Sequence, residues 1–505
     1  MLLLILVALI NYAGLSHQFQ NIELECWSGA PDLCSCKGGQ IVSCNGWSGP
    51  FPLNITSLTI TETGYLTLNK LQLPQYTSLT HLNLTNNNLT VTSLTCDEPH
   101  HNIKVLDLSR NNLVSLYGIQ TCFPNLHQLV VSNNHIDALS PTSFHHMSYL
   151  EVLDASNNDL KVIPAGTLSG LESLRHLDLS YNSLSTLSSA WLPSVLNKLL
   201  IHDNDIRQIE IHAPVTIHYL DISNNKIENL HPLHLIRSIQ HLNLAGNAVS
   251  TLHIKRQDQL KWLNISNNPL KLKGETLRYL VALEKIYIQD IPTLDVLPDD
   301  MLKGSTRVNT VIISDNKYLK AVGSRTFADL PNLTHLYLNN NRLHSLPRTF
   351  LDGIPQLAVI DLHNNPWECD CRLWWMFSFL ERNRDMKILN FNKTDCKSMK
   401  TNVKNMYEEI KSLNCTPVSL IEVRFNNPVG VGENVLFESE AFGTPKPAIT
   451  WVTPENYVFH WEPGKSQYEV YSSMYYNHPN HHDSRMKPLP DHQLSKFQVR
   501  KLEPT

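Results

Sequence analysis

The ten cysteines are the residues most able to do chemistry in this chain, and they fall into three groups. Four lie within residues 26–44, two are Cys96 and Cys122, and four lie within residues 369–415. Clustered thiols either bind zinc or form disulfides. The close pairs are spaced Cys-x-Cys rather than Cys-x-x-Cys, and an even number in terminal groups is typical of an oxidising compartment. The cysteines therefore predict disulfides, with no zinc site and no free thiol nucleophile.

Other catalytic or metal-binding patterns are weak. The sequence has no G-x-S-x-G, no H-E-x-x-H and no glycine-rich phosphate loop. His478, His481, His482 and Asp483 form a histidine-rich segment, which a polar tail explains better than a metal site. The net charge is 41 − 46 = −5, which gives no support to a nucleic-acid partner. We therefore expect no cofactor and no nucleic acid.

Aspartates recur between leucines, and paired carboxylates could suggest acid–base catalysis. They are Asp107, Asp154, Asp178, Asp221 and Asp361. This position of a repeated strand faces solvent, where a carboxylate can bond neighbouring strands. The aspartates therefore indicate a structural role, and the sequence predicts a protein that is not an enzyme.

A short apolar leader precedes the cysteines. Residues 2–10 are all apolar, which is too short for a membrane span of about 20 residues and typical of a signal peptide. Gly14 and Ser16 supply small residues for cleavage, so we predict a signal peptide over residues 1–16. No later segment is apolar enough to span a membrane. The chain is expected to be secreted, or to lie at the cell surface if an anchor follows Thr505.

Internal repetition sets the architecture. The pattern L-x-x-L-x-L-x-x-N-x-L recurs thirteen times, 21 to 25 residues apart. The repeats, here called rungs, start at Leu79, Ile103, Leu126, Leu150, Leu174, Leu196, Ile217, Ile239, Leu260, Leu283, Val308, Leu333 and Leu357. A degenerate rung precedes them, at residues 55–60. The L-x-L pair predicts a short strand with inward leucines, and stacked strands form a parallel sheet.

An internal asparagine ladder is expected to satisfy the turns that leave the strands. Its members are Asn87, Asn111, Asn134, Asn158, Asn182, Asn204, Asn225, Asn247, Asn268, Asn316, Asn341 and Asn365. The tenth rung has Ile291 followed by Pro292, so the ladder should break there, with a local change of curvature.

The repeat is the leucine-rich repeat, and the flanking cysteines resemble the caps of extracellular proteins with such repeats. The resemblance rests on Cys-x7-Cys-x-Cys-x7-Cys before the first rung and on Asn365-Pro-Trp-Glu-Cys-Asp-Cys after the last. The sequence alone allows three pairings at the first cap. The resemblance implies these four disulfides: Cys26–Cys36, Cys34–Cys44, Cys369–Cys396 and Cys371–Cys415. It also implies that Trp367 covers the last rung.

Cys96 and Cys122 occupy nearly the same phase of adjacent rungs. Neighbouring rungs lie about 5 Å apart, which is within the reach of a disulfide. We therefore predict a bond between them, on the side away from the strands.

The sequence changes character after the second cap. Residues 432–451 resemble strands B and C of an immunoglobulin-like domain, with Trp451 as the buried tryptophan of strand C. Ser439 stands where that class has its strand-B cysteine, and the strand-F cysteine is missing. The domain is therefore expected to be incomplete and to be the least ordered part of the chain.

The expected fold is an α/β-type solenoid: a leucine-rich-repeat horseshoe with a parallel concave sheet and disulfide caps, followed by a partial all-β immunoglobulin-like domain. The predicted division is signal peptide 1–16, first cap 17–52, repeats 53–366, second cap 367–416 and immunoglobulin-like domain 417–505. This combination resembles the extracellular LRR–Ig family of the Kekkon, LINGO and Lrig type.

The resemblance implies cell-surface recognition, adhesion or receptor modulation, often neural. The expected partner is an extracellular protein ligand or co-receptor, and homophilic contact is a further option. Two alternatives are an innate-immune pattern-recognition receptor ectodomain and a structural extracellular-matrix protein. A peroxidasin-type enzyme would need a catalytic domain beyond this chain.

Six outward residues of rungs five to ten are the predicted partner-binding site, here called the outward row. They are His176, Lys198, Tyr219, His241, Trp262 and Lys285, with Tyr181, Tyr287 and Tyr337 on the same face. Aromatic and cationic side chains are enriched in protein hot spots. An equally weighted alternative is that these residues only keep the surface soluble.

Seven N-x-S/T sequons predict N-glycosylation. They begin at Asn54, Asn83, Asn88, Asn264, Asn332, Asn392 and Asn414. Asn264 lies two residues from Trp262, so a glycan there would screen the middle of the outward row.

Overall fold

A computed structural model describes most of the chain between residues 31 and 413, and several strands beyond it. The described residues are 31–46, 49–64, 66–90, 95–252, 254, 257–274, 276–278, 280–351, 354–370, 373–376, 379, 386–397 and 406–413, with strands between 416 and 499. The predicted signal peptide lies outside them, as do Cys26, Cys371, Cys415, Asn414 and the histidine-rich segment.

The strands are β1 Cys34–Lys37, β2 Ile41–Asn45, β3 Ser57–Thr61, β4 His81–Asn83, β5 Val105–Asp107, β6 Gln128–Val130, β7 Val152–Asp154, β8 His176–Asp178, β9 Thr186–Ser188, β10 Val195–Leu200, β11 Gln208–Glu210, β12 Val215–Asp221, β13 Ile236–Arg237, β14 His241–Asn243, β15 Trp262–Asn264, β16 Lys285–Tyr287, β17 Val296–Leu297, β18 Thr310–Ile312, β19 Ala321–Val322, β20 His335–Tyr337, β21 Val359–Asp361, β22 Lys387–Leu389, β23 Thr416–Phe425, β24 Val435–Thr444, β25 Ile449–Val452, β26 Tyr457–Trp461, β27 Glu469–Ser472 and β28 Leu494–Val499.

The helices with described bounds are short. They are the α-helices α1 Ile119–Cys122 and α2 Met406–Lys411, and the 3-10 helices Leu68–Leu71, Leu73–Gln75, His231–Leu235, Arg348–Leu351 and Phe391–Lys393.

The chain forms two compact units. The first consists of Met1–Leu294, Asp300–Lys317 and Ala328–Leu333, and the second of Asp295–Asp299, Tyr318–Phe327 and Thr334–Thr505.

The first unit is a stack of parallel strands, as the repeats predict. After the antiparallel pair β1–β2, each rung adds one strand in the order β2-β3-β4-β5-β6-β7-β8-β10-β12-β14-β15-β16-β18. The register is constant, so Leu220, Leu242 and Leu263 lie opposite one another. All three are fully buried, which stabilises each rung by about 1.5–3 kcal/mol. The solenoid of stacked parallel strands is confirmed.

The asparagine ladder joins each rung to the one before it. The Asn111 side chain accepts from the backbone N–H groups of Asn87 (2.9 Å) and Leu89 (2.8 Å). Its Nδ2 donates to the carbonyl oxygens of Leu84 (3.0 Å) and Leu108 (2.9 Å). One buried amide thus satisfies four backbone groups that water cannot reach.

Ile291 replaces this asparagine in the tenth rung. Its side chain is buried, so it fills the space but has no amide with which to bond the preceding rung. Its backbone N–H donates to the Asn316 side-chain oxygen at 2.9 Å, and the ladder resumes in the next rung. The interruption is therefore confined to one rung.

The second unit contains a parallel sheet, β20-β21-β22, and a separate strand pair, β17–β19. Trp367 is fully buried, and its Nε1 donates to the Leu362 carbonyl oxygen at 3.0 Å. Trp367 also forms a parallel bridge with Cys396, which is bonded to Cys369. The tryptophan therefore packs on the last rung, as the cap resemblance implies.

Strands after Thr416 pair antiparallel. They form two three-stranded sheets, β23-β24-β28 and β25-β26-β27. The segments that resemble immunoglobulin strands B and C correspond to β24, which contains Ser439, and β25, which contains Trp451.

Three disulfides lie within the described residues: Cys34–Cys44, Cys96–Cys122 and Cys369–Cys396. Each is a pairing expected above. Cys36 is also disulfide-bonded. Its expected partner Cys26, and the expected pair Cys371–Cys415, involve residues that are not described.

Candidate functional site

The outward row is a straight line of side chains across six strands of the first unit. In the sheet register, His176 lies opposite Lys198, Lys198 opposite Tyr219, and Tyr219 opposite His241. His241 then lies opposite Trp262, and Trp262 opposite Lys285. The alternation of a strand explains this placement, because each of these residues precedes an inward leucine or isoleucine. The fold brings all six predicted partner-binding residues together.

Three rings in the middle of the row pack face to face, and we call them the ring stack. The ring centroids of Tyr219 and His241 are 4.1 Å apart with 12° between the planes. Those of His241 and Trp262 are 3.9 Å apart with 7° between the planes. The distances are shorter than the sheet spacing of about 4.8 Å, so the rings lean together in contact.

A cation lies at one end of the ring stack and a tyrosine at the other. The Lys198 Nζ is 5.3 Å from the centroid of the Tyr219 ring, within reach of a cation–π attraction. The Tyr287 ring is 5.0 Å from the Trp262 ring and tilted by 44°. Outside the row, Tyr181 meets His202 edge to face at 5.2 Å.

A pocket of about 400 Å³ opens beside the ring stack. Its lining comes from two adjacent columns of outward residues: His218, Tyr219, Gln240, His241, Lys261, Trp262, Glu284 and Lys285. The column that contains Lys261 and Glu284 was not among the residues predicted from the sequence. The sequence could have indicated this column, because each residue in it directly precedes a residue of the outward row.

Burial changes the protonation of the row. Desolvation lowers the pKa of His241 to about 4; Asp221 opposes this shift and Lys198 adds to it. Burial likewise lowers the pKa of His176, with a further lowering from Lys198 and opposition from Glu151. The His241 ring is therefore neutral at pH 7.

The aspartate column has a structural role, as predicted. The Asp221 Oδ1 accepts from the backbone N–H of Ser223 at 3.0 Å and from its hydroxyl at 2.6 Å. Its Oδ2 accepts from Asn243 Nδ2 in the next rung at 3.0 Å. The same serine contacts recur at Asp107, Asp154 and Asp178.

Two aspartates differ from the others in their surroundings. Burial raises the pKa of Asp154, which hydrogen bonds from Ser156 partly offset. Asp361 is buried rather than solvent-facing, so the expectation of exposure is wrong at this residue. Asn390 Nδ2 donates to its Oδ2 at 2.9 Å, and the His363 ring nitrogen lies 2.5 Å from its Oδ1.

The described sequon asparagines differ in accessibility. Exposed side chains are those of Asn54, Asn88, Asn332 and Asn392, whereas Asn83 and Asn264 are half-buried. Asn264 faces the same side as the outward row, opposite Tyr287 on the next strand. Its side-chain oxygen accepts from the Ser266 backbone N–H at 3.0 Å.

Among the described residues, no group of three or more histidine, cysteine, aspartate or glutamate side chains could hold a metal ion. No helix in the described part of the chain has the length and hydropathy to cross a membrane.

Comparison with known proteins identifies the repeats. The family described as "Leucine rich repeat" matches residues 124–188 and 306–366. Human oligodendrocyte-myelin glycoprotein is 34% identical over 272 residues, which cover 53% of this chain and 40% of that protein. Mouse immunoglobulin superfamily member 10 is 41% identical over 54 residues, which cover 11% of this chain and 2% of that protein.

The chain spans less than half the length of these curated relatives. Among solved structures, a leucine-rich-repeat protein of Leptospira interrogans is similar with a TM-score of 0.49 and 22% identity, over 66% of this chain and 90% of that chain. The repeated leucines and the asparagine ladder agree with the match of residues 124–188 and 306–366 to the leucine-rich-repeat family.

Proposed function

We propose that the protein is an extracellular recognition protein that binds another protein through the outward row. The observation that carries the proposal is the ring stack of Tyr219, His241 and Trp262, which lies beside an open pocket. Packed aromatic side chains supply binding area at little entropic cost, because contact with one another already restricts their rotamers. The stack also stabilises its strands, and the open pocket beside it leaves room for the side chains of a partner.

The extracellular location is supported by cysteine chemistry. Three disulfides join described residues, and disulfides form and persist in oxidising compartments. Four exposed asparagines stand in N-x-S/T sequons, which are glycosylated only in secreted or surface proteins. On this basis the protein acts in cell-surface recognition, adhesion or receptor modulation.

The segment after the second cap is proposed to be an immunoglobulin-like module. Two antiparallel three-stranded sheets support the proposal, as does the position of Trp451 on the strand that follows β24. The division into residues 17–52, 53–366, 367–416 and 417–505 is part of the same proposal. Such a module would add a second protein-binding surface.

A binding screen tests the function. The secreted chain is multimerised and applied to an array of extracellular ectodomains from the same organism. A double variant, Tyr219→Ser with Trp262→Ser, removes the outer rings of the ring stack. Its matched control, Val105→Ser with Gln128→Ser, changes the same strand position in rungs without such a stack.

We expect some ectodomains to bind the wild type and the control equally. The same ectodomains should bind the double variant at least about 30-fold more weakly. Partners that bind all three proteins equally would contradict the proposal, as would an array without any partner. Circular dichroism and a thermal transition establish that both variants are folded.

A further inference from the structure

The faces of the central ring are already occupied. Tyr219 covers one face of His241 and Trp262 covers the other, at 4.1 and 3.9 Å between centroids. Lys198 lies against Tyr219 on its far side, and Tyr287 leans on Trp262. A ligand therefore meets ring edges rather than open ring faces, and a second stacked aromatic or sugar ring has no place between them. Ring edges carry positive potential.

The polar atoms of the ring stack have no hydrogen-bond partner in the part of the chain that the structure describes. Among the described residues, the structure gives no hydrogen bond to the Tyr219 hydroxyl, to either ring nitrogen of His241 or to Trp262 Nε1. Half-buried tyrosine and tryptophan usually place these groups against an acceptor. The stack thus presents O–H and N–H donors, on successive strands, with room for acceptors from outside the chain.

Charge around the pocket is mostly positive. Lys198 stands at one end of the ring stack, and Lys285 and Lys261 line the pocket at the other. Glu284 is the acidic residue in the lining. Asp221, on the other side of the row, uses its oxygens to accept bonds from Ser223 and Asn243, as described above. An anionic group placed at the pocket would meet the ammonium groups of Lys261 and Lys285 and the ring-edge donors, and Lys198 adds a third positive charge at the end of the ring stack.

We infer that the pocket and the ring stack bind a carboxylate-rich extended peptide segment of the partner protein. The inference rests on the proposed function and specifies its chemistry. Carboxylates of the segment accept hydrogen bonds from Tyr219, Trp262 and the lysines. Lys198 and Lys285 are four strands apart, or about 19 Å at the usual sheet spacing. An extended peptide covers that distance with about six residues.

A peptide fits better than a sulfated polysaccharide. The pocket lining includes acceptors, namely the Glu284 carboxylate and the Gln240 side-chain oxygen, which a peptide backbone can satisfy with its N–H groups. A dense polyanion has few such donors, so it would leave these acceptors without partners. The mixed lining therefore favours a chain that carries both donors and carboxylates.

Peptide binding to the full secreted chain tests this chemistry. The probes are a fluorescent nonapeptide of alternating glutamate and serine, its glutamine analogue, and heparin as a competitor. Tyr219→Phe keeps the ring and removes only the O–H, whereas Trp262→Phe keeps an aromatic ring but removes the N–H together with part of the indole. Lys285→Met removes a charge at the pocket, and Lys104→Met removes an exposed charge from the β5 rung as its matched control.

The glutamate peptide should bind the wild type, and the glutamine analogue should bind at least about 10-fold more weakly. Tyr219→Phe and Trp262→Phe should each weaken binding about 3- to 10-fold, and Lys285→Met about 10-fold or more. Lys104→Met should leave it unchanged.

Equal binding of both peptides, or no binding, would overturn the inference. Tight heparin binding that ignores Tyr219→Phe and Trp262→Phe would also overturn it, in favour of a polysaccharide. If the peptide test fails while ectodomain partners still depend on Tyr219 and Trp262, only the carboxylate chemistry is wrong. If those partners are also lost, the proposed function fails.

Discussion

Two stretches of the first unit share one scaffold and differ in what they carry. In β4 to β7, the outward position holds His81, Val105, Gln128 and Val152, whereas in β12 to β15 it holds Tyr219, His241 and Trp262. The inward leucines and the asparagine ladder are the same in both. The shared scaffold fixes the spacing between strands. The outward residues alone decide whether the surface carries stacked rings and a pocket.

Cutting away an inward leucine should have the largest effect, and it should be equal in the two stretches. Leu242→Ala and Leu106→Ala both empty a fully buried position, so each should lower stability by about 2–5 kcal/mol. Thermal unfolding of both variants measures the loss. If Leu242→Ala lowered the stability much less than Leu106→Ala, the ring stack on the outward face would be holding these strands together. That result would contradict a scaffold that is the same in both stretches.

Removing an outward side chain should lower the stability more in the stretch with the ring stack than in the stretch without it. Trp262→Ala loses contact with His241 and leaves Tyr287 without its neighbour, and each aromatic pair contributes about 0.5–1.5 kcal/mol. We therefore expect a loss of about 1–3 kcal/mol in denaturant unfolding. Gln128→Ala, at the same strand position, should stay within about 0.5 kcal/mol of the wild type. Equal losses would show that the stack adds no stability.

Acid should lower the stability of the folded chain through His241 in the ring stack. The pKa of His241 is about 4 in the folded chain and about 6.5 when exposed, so between these values only the unfolded chain binds the proton. Stability should fall as pH drops from about 6.5 to 4, by about 1–2 kcal/mol after allowance for solvent at a half-exposed ring.

His241→Phe keeps a flat ring and cannot titrate, so it should reduce the fall in thermal midpoint between neutral and acidic buffer. His135→Phe, at a side chain with 66% exposure, serves as the control and should fall like the wild type. A His241→Phe protein that loses as much midpoint as the wild type would contradict the burial of this ring.

Glycan occupancy should differ between the exposed sequons and Asn264. The Asn264 side chain is half-buried and faces the ring stack, where a partner must reach, so we expect little or no glycan there. Asn88 and Asn332 are exposed and should be occupied. Glycopeptide mass spectrometry of the secreted protein compares the three sites. Full occupancy at Asn264 would cover the middle of the outward row and move the binding site elsewhere.

Periodic features of this molecule could be predicted from the sequence, and local ones could not. Leucine spacing predicts that Leu242 is buried, and the alternation of a strand places Tyr219, His241 and Trp262 in one row. The stacking itself depends on rotamers that no spacing encodes. The burial of Asp361 also escaped prediction, because Asn390, which donates to it, lies after the last repeat and outside the repeated pattern.

Adding a glycan at the ring stack tests the central claim most directly. Tyr219→Asn with Asp221→Thr creates a sequon on the outward row, and Val105→Asn with Asp107→Thr creates the same sequon on the comparison stretch. Both variants remove an aspartate that bonds a serine two residues later, so they match in that loss, and only the first also removes a ring of the ring stack. With glycosylation established, we expect the glycan at residue 219 to abolish ectodomain binding and the glycan at residue 105 to leave it intact. Binding that survives the glycan at 219, or that is lost equally with both, would contradict this expectation.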